Sequence, residues 1–363
     1  MRLSIIGVGL IGGSLGRALV RNGHDVSGFD ANEERLQSAV ARGFVSRAAS
    51  SLADAAAGHD IVFVGVPVSS VPTVVIEALD AGAAVVTDVG SVKASVVEAV
   101  ERARPETAPR FVGGHPMAGS EQEGLDGADP DLFEGATWVL TPTATTDPTA
   151  FTAVQSVVRS LGAEVVAVHP TDHDALVATV SHVPHLAAGT LMLLASEQAG
   201  SADRGPLLRL AAGGFRDMTR IAAGHPGIWP DICVENRDAI VRALDEYVRA
   251  LVEIRDRVAG EDRDGLLASL ERARDARTNL PIAGLEEGPF AELRIPVPDR
   301  PGVLAEVTTL AGQIGVNIVD LEIAHSSEGP EGVLVLIVPM RGVEQFEGAL
   351  DAAGYRVSKR TIA

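Results

Sequence analysis

RLSIIGVGLIGGSLGRALV, residues 2–20, opens the chain and decides its fold. An apolar run of strand length ends at Gly7, and apolar residues then recur among small ones at helical spacing, which reads as strand, tight turn and helix. Gly7, Gly9 and Gly12 stand as G-V-G-L-I-G across that turn. The first glycine permits the sharp turn, the second lets backbone approach a pyrophosphate, and the third lets the helix pack close on the strand. The start of the helix then presents free N–H groups and a positive dipole end to an anion. The stretch is apolar enough to resemble a signal core or a membrane span, but it carries five glycines and Arg17 and has no cleavage-site pattern. No targeting segment is read here.

Outward from this unit, DVSGF (25–29), DIVFVGVP (60–67), AAVVTDVG (83–90) and EVVAVH (164–169) alternate with helical stretches. Continuous apolar runs of this kind are parallel strands covered on both faces. They predict a doubly wound, Rossmann-type α/β domain over residues 1–169, with ligands outside the carboxyl ends of its strands. Asp30 closes the second strand, where a carboxylate accepts the adenosine ribose hydroxyls and repels a 2′-phosphate. Ala31 and Asn32 offer no cation for such a phosphate, so NAD is expected over NADP, with Arg35 keeping the other choice open. Gly7, Gly9, Leu10, Ile11, Gly12, Asp30, Val66 and Pro67 are the expected cofactor-binding residues.

The chain has 363 residues, 46% of them hydrophobic and 22% charged, which excludes disorder as its main character. A net charge of -19 argues against a nucleic-acid or anionic-membrane surface. Cys233 is the one cysteine, no Cys/His cluster has zinc spacing, and a reducing cytoplasm is the expected compartment. Residues 170–280 read as an all-helical domain, in which Ile240, Leu244, Tyr247, Leu251 and Ile254 form one stripe of an amphipathic helix. PIAGLEEGPF (281–290) reads as a linker. Residues 291–363 follow the order strand, helix, strand, strand, helix, strand, a small α+β module.

Four further segments carry the chemistry: TDVGSVK (87–93), GGHPMAGSE (113–121), SHVPH (181–185) and GGFRDMTRIA (213–222). Singly each is modest, since a lone His after a strand is often structural and Ser91 also suits a helix N-cap. In this order, the segments resemble the prephenate dehydrogenase family of tyrosine biosynthesis. That resemblance implies oxidative decarboxylation of prephenate to 4-hydroxyphenylpyruvate with hydride passing to NAD, and a homodimer formed through the helical domain. It implies that His115 takes the substrate hydroxyl proton, that Ser91 hydrogen-bonds the hydroxyl and the histidine, and that Arg220 binds the ring carboxylate. A neutral His suits a base working near pH 7, and a guanidinium fork suits a carboxylate. Glu121 falls on a family carboxylate near the substrate mouth, and Arg216 lies one helical turn before Arg220. Asp174, His182, His185 and Trp229 also fall on family positions, with packing an equal reading for each; Lys93 either anchors a carboxylate or lies solvated.

DRPGVL (299–304) and GVNIVDL (315–321) make the last module resemble an ACT domain. The resemblance implies an amino-acid effector, tyrosine, near Gly302 and Asn317; the alternative is a module that only helps dimerise. Two other activities stay open: the same scaffold acting on arogenate, and a non-catalytic sensor of NAD and an amino acid. A β-hydroxyacid dehydrogenase would need a catalytic lysine on a helix, for which the sequence offers no convincing candidate.

Overall fold

The computed structural model describes residues 1–120, 122, 124–198, 213–278, 289–298, 300–325 and 331–362. By internal contacts the chain forms two compact units, Met1–Leu193 with Arg220–Leu251, and Leu194–Thr219 with Val252–Ala363.

The first unit is built on the strands β1 (Arg2–Ile6), β2 (Asp25–Phe29), β3 (Arg47–Ala48), β4 (Ile61–Val64), β5 (Val86–Asp88), β6 (Phe111–Pro116), β7 (Thr137–Thr141) and β8 (Glu164–Ala167), in the order β3-β2-β1-β4-β5-β6-β7-β8. β1 to β6 pair in parallel, β7 runs antiparallel to β6, and β8 is parallel to β7. The run 3-2-1-4-5-6 is the Rossmann order, with its ligand crevice beyond the strand ends at β1 and β4. Side chains alternate between two cores: Leu3, Ile5, Ile61 and Phe63 pack on one face, Ile6, Val62 and Val64 on the other. All seven are buried, at about 1.5–3 kcal/mol each for a large aliphatic or aromatic side chain.

β6 has no continuous apolar run, because Gly113 and Gly114 interrupt it, yet those glycines are what let it form. A Cβ on Gly114 would stand 2.7 Å from the Asp88 carbonyl oxygen of β5, and one on Gly113 would collide with the Thr141 hydroxyl of β7. The strand is therefore drawn tightly between its neighbours, and His115 emerges at its end.

Residues 170–197 are long and apolar enough to cross a membrane by length and composition. Their buried polar groups nevertheless bond within the unit: Asp174 accepts from the amides of Lys93 and Ala94, and Asn236 donates to the Asp174 carbonyl. The first turns of this helical stretch are thereby tied into the unit. Its middle, Ala178–His182, is a π-helical turn just before Pro184, which cannot supply the N–H of a regular α turn. The stripe on helix Arg237–Ala259 is buried only at its start: Ile240 is 4% exposed, whereas Tyr247 is 38% and Leu251 49% exposed.

In the second unit, β9 (Phe290–Pro298), β10 (Asp320–His325), β11 (Glu331–Pro339) and β12 (Ser358–Ile362) form an antiparallel sheet in the order β10-β11-β9-β12. Helices Val303–Gln313 and Val343–Ala352 complete a βαββαβ module around Leu293, Ile295, Val307, Leu336 and Phe346. Residues 281–288 of the expected linker lie outside the described residues, and Phe290 already belongs to β9.

Candidate functional site

The glycine turn and Asp30 meet beyond β1 and β2. Gly7 has φ +95°, and a Cβ there would press on the Gly65 carbonyl, so the turn sits directly beside Gly65-Val66-Pro67 at the end of β4. A Cβ on Gly12 would strike the Gly7 carbonyl, whereas one on Gly9 would meet nothing within 4 Å. Gly9 is thus open to a ligand, while Gly7 and Gly12 are fixed by packing. Gly9 also stands at the N-cap of helix Leu10–Arg21, where no side chain caps the amides and no acidic residue occupies the first turn. The Asp30 carboxylate, 9% exposed, accepts from the amides of Val8 and Asn32 at 2.9 and 2.8 Å. The two amides use about two of a carboxylate's four acceptor positions, and ribose hydroxyls would share the rest with Arg35. Arg35, the residue that kept NADP open, lies 3.3 Å from both Asp30 oxygens. An open pyrophosphate cradle ending in a buried carboxylate fits NAD.

The second cluster gathers at the ends of β5 and β6. Lys93 and Asp88 are both 0% exposed and form a buried ion pair, and Lys93 Nζ also donates to the Gly114 carbonyl at 2.8 Å. The Asp88 carboxylate accepts further from the amides of Gly90 and Gly114, at 2.9 and 3.1 Å. Burial draws the Lys93 ammonium below its ordinary range against the opposing pull of Asp88 and Asp174. The pair ties the Ser91 turn to the His115 strand. Ser91 does not cap helix Ala94–Ala103; Asp174 does, with Oδ1 on the Lys93 amide and Oδ2 on the Ala94 amide, each at 2.8 Å. The Ser91 side chain is half-buried and has no hydrogen-bond partner among the described residues.

His115 Nδ1 lies 2.9 Å from His173 Nε2, and His173 Nδ1 lies 2.8 Å from Asp174 Oδ1. Desolvation first, and then repulsion from the Lys93 ammonium and from His173 and His182 whenever those are protonated, hold the His115 pKa well below the usual imidazole value. It is therefore neutral near pH 7, as a general base requires. His182 Nδ1 stands 3.2 Å from Asn236 Nδ2, and burial lowers the His182 pKa to about 4. The His185 ring stacks on Trp229 at 3.6 Å between centroids, with His182 edge-on to the same indole at 6.0 Å. Arg220, itself exposed, begins the half-buried turn Arg220–Ala223; a Cβ on the following Gly224 would lie 3.6 Å from His185 Cε1, which places the turn beside this aromatic pair.

His115 is thus joined to Asp174 and, through Lys93, to the Ser91 turn, and His185 to Trp229. Glu121 lies outside the described residues, and Arg216, exposed on helix Gly213–Thr219, belongs to the second unit. Gly302 has φ +92° with open space around it and Asn317 is exposed, both in the second unit. His173 and Asn236 were missed by the sequence reading. The available signal was His173 next to an acid in T-D-H-D just after Pro170, at the first turn of a helix.

Residues 15–167 match the family model for the prephenate dehydrogenase nucleotide-binding domain, and residues 169–272 the model for the prephenate dehydrogenase dimerization domain. A prephenate dehydrogenase of Bacillus subtilis is 34% identical over 337 residues, covering 91% of this chain and 90% of the relative. The structure of Aquifex aeolicus prephenate dehydrogenase in complex with hydroxyphenyl propionate and NAD+ aligns with TM-score 0.71 and 30% identity, over 77% of this chain and 98% of that one. Synechocystis arogenate dehydrogenase aligns with TM-score 0.65 and 31% identity, over 76% of this chain and 99% of that one. With both domain models matched in chain order, and the glycine cradle and the His115 cluster formed at the strand ends, this chain belongs to the prephenate dehydrogenase family.

Proposed function

We propose that the protein is a prephenate dehydrogenase, converting prephenate to 4-hydroxyphenylpyruvate and carbon dioxide in tyrosine biosynthesis. The observation that carries this reading is His115, a neutral imidazole at a strand end whose Nδ1 is engaged by His173. Bound NAD+ supplies the hydride acceptor.

His115 draws the substrate hydroxyl proton as hydride leaves the same carbon, which raises electron density at the departing hydrogen. The bond to the ring carboxylate then breaks with its electron pair entering the ring, carbon dioxide leaves, and the ring becomes aromatic. His115 returns the proton to the phenolic oxygen, so it is unchanged over the cycle. Ser91, whose hydroxyl has no partner among the described residues, holds the substrate hydroxyl against His115. Arg220 clamps the ring carboxylate in the ground state, so its loss should raise KM more than it lowers kcat. The His185–Trp229 stack forms an apolar wall.

The exposed Val241, Tyr247, Val248 and Leu251 on one helix support a homodimer, since a surface of this kind is buried against a second copy. The βαββαβ module acts as an ACT-type regulatory domain taking tyrosine near Gly302 and Asn317, and the enzyme works in the cytoplasm. Arogenate, which differs by an amino group in place of the side-chain keto oxygen, is the alternative substrate, favoured by the likeness to Synechocystis arogenate dehydrogenase. Absorbance of reduced nicotinamide, read for NAD and NADP against prephenate and arogenate, tests this. Turnover with NAD and prephenate supports the proposal; turnover with arogenate alone changes the substrate, and silence in every combination rejects catalysis.

A further inference from the structure

His173 belongs to no motif used above, yet it is 1% exposed and stands between the proposed base and a buried carboxylate. Asp174 is a fixed acceptor: its two oxygens take the Lys93 and Ala94 amides at the N-terminus of helix Ala94–Ala103, where the helix dipole favours an anion. His173 Nδ1, 2.8 Å from Asp174 Oδ1, must therefore be the protonated nitrogen. In a neutral His173, Nε2 is then an acceptor, and His115 Nδ1 at 2.9 Å must donate to it. A neutral His115 with its proton on Nδ1 carries its lone pair on Nε2.

We propose that His173, oriented by Asp174, is a positioning residue that fixes the tautomer of His115 so that Nε2 is the base. The inference rests on the dehydrogenase reading for its catalytic consequence, but not for the tautomer itself. The charged and titratable groups around this pair are Lys93 and Asp88 from the β5 side, Asp174 next to His173, and His182 from the π-helical turn.

The test compares wild type with His173→Phe, which removes the acceptor at similar volume, and His173→Gln, whose side-chain oxygen can accept from His115 Nδ1. Nitrogen NMR of labelled histidine reads the His115 tautomer without turnover, and NAD+ binding confirms that each variant is folded. Wild type and His173→Gln should carry the proton on Nδ1, and His173→Phe should lose that preference. With turnover, His173→Phe should lower kcat by about 10–100-fold, the range for losing the group that orients an imidazole, with KM little changed. His173→Gln should recover most of the loss, and the acid limb of the kcat–pH profile should move in His173→Phe. An unaltered tautomer and kcat within about threefold of wild type in His173→Phe would overturn the inference. A tautomer shift in a protein that turns over neither prephenate nor arogenate would instead reject the dehydrogenase reading and leave the positioning role standing.

Discussion

Lys93 Nζ is held in a fully buried position by the Asp88 carboxylate and the Gly114 carbonyl, 2.8 Å away, so that one ammonium locks the turn carrying Ser91 to the residue preceding His115. Removing one partner of a buried ion pair leaves the other uncompensated, at a cost of about 3–5 kcal/mol. Lys93→Met should lower unfolding free energy by that order in urea titration. It should also reduce kcat, because both catalytic segments lose their common anchor. A stable, fully active variant would mean that the Asp88 contacts with the Gly90 and Gly114 amides suffice.

The glycine turn separates packing from binding. A Cβ at Gly12 meets the Gly7 carbonyl, whereas one at Gly9 meets nothing within 4 Å. Gly12→Ala should therefore lower the melting temperature and weaken NAD+ binding together. Gly9→Ala should leave the melting temperature close to wild type and weaken NAD+ binding by about tenfold or more, as expected when backbone is kept from the pyrophosphate. Calorimetric titration beside thermal melts checks both.

Cofactor choice rests on Asp30, with Arg35 3.3 Å from its two oxygens. Asp30→Ser removes the negative charge and frees the guanidinium for a 2′-phosphate. The ratio of kcat/KM for NADP over NAD should rise by about two orders of magnitude, a gain of roughly 3 kcal/mol in discrimination. An unchanged ratio would show that Arg35 does not reach the adenosine ribose.

The buried histidines impose a pH dependence on stability. His182 has a folded pKa of about 4, below the ordinary 6.5, and His115 is lowered in the same direction. Between pH 6.5 and about 4 the unfolded chain binds more protons than the folded one, so stability rises with pH. It should be fully present above the unfolded value and lost as pH falls through the folded value. Urea unfolding at stepped pH should show this slope, and His182→Gln should flatten it. The acid limb of kcat should likewise fall below the ordinary histidine pKa, because His115 stays neutral there.

The nucleotide half was legible because its signals are local: a glycine turn after a strand, Asp30 at the next strand end, and apolar runs that end at ligand-facing loops. β6 was not, since its packing depends on glycines whose missing side chains matter only once Asp88 and Thr141 are beside them. The cap of helix Ala94–Ala103 was not legible for a similar reason: the sequence offered Ser91 as one alternative, and the fold supplies Asp174 from another helix. His173 escaped because an isolated histidine has many structural uses, and its place between His115 and Asp174 exists only after folding. The stripe on helix Arg237–Ala259 was legible as a face, but the first unit buries little beyond Ile240.

The most direct test of the central claim is prephenate turnover by His115→Asn beside wild type, with reduced nicotinamide and carbon dioxide measured together and NAD+ affinity determined on the same samples. Wild type should release the two products in equal amounts. The variant should bind NAD+ as wild type does but lose about 100-fold or more in kcat, the range for a removed general base. A variant that binds NAD+ and turns over prephenate at the wild-type rate would contradict it.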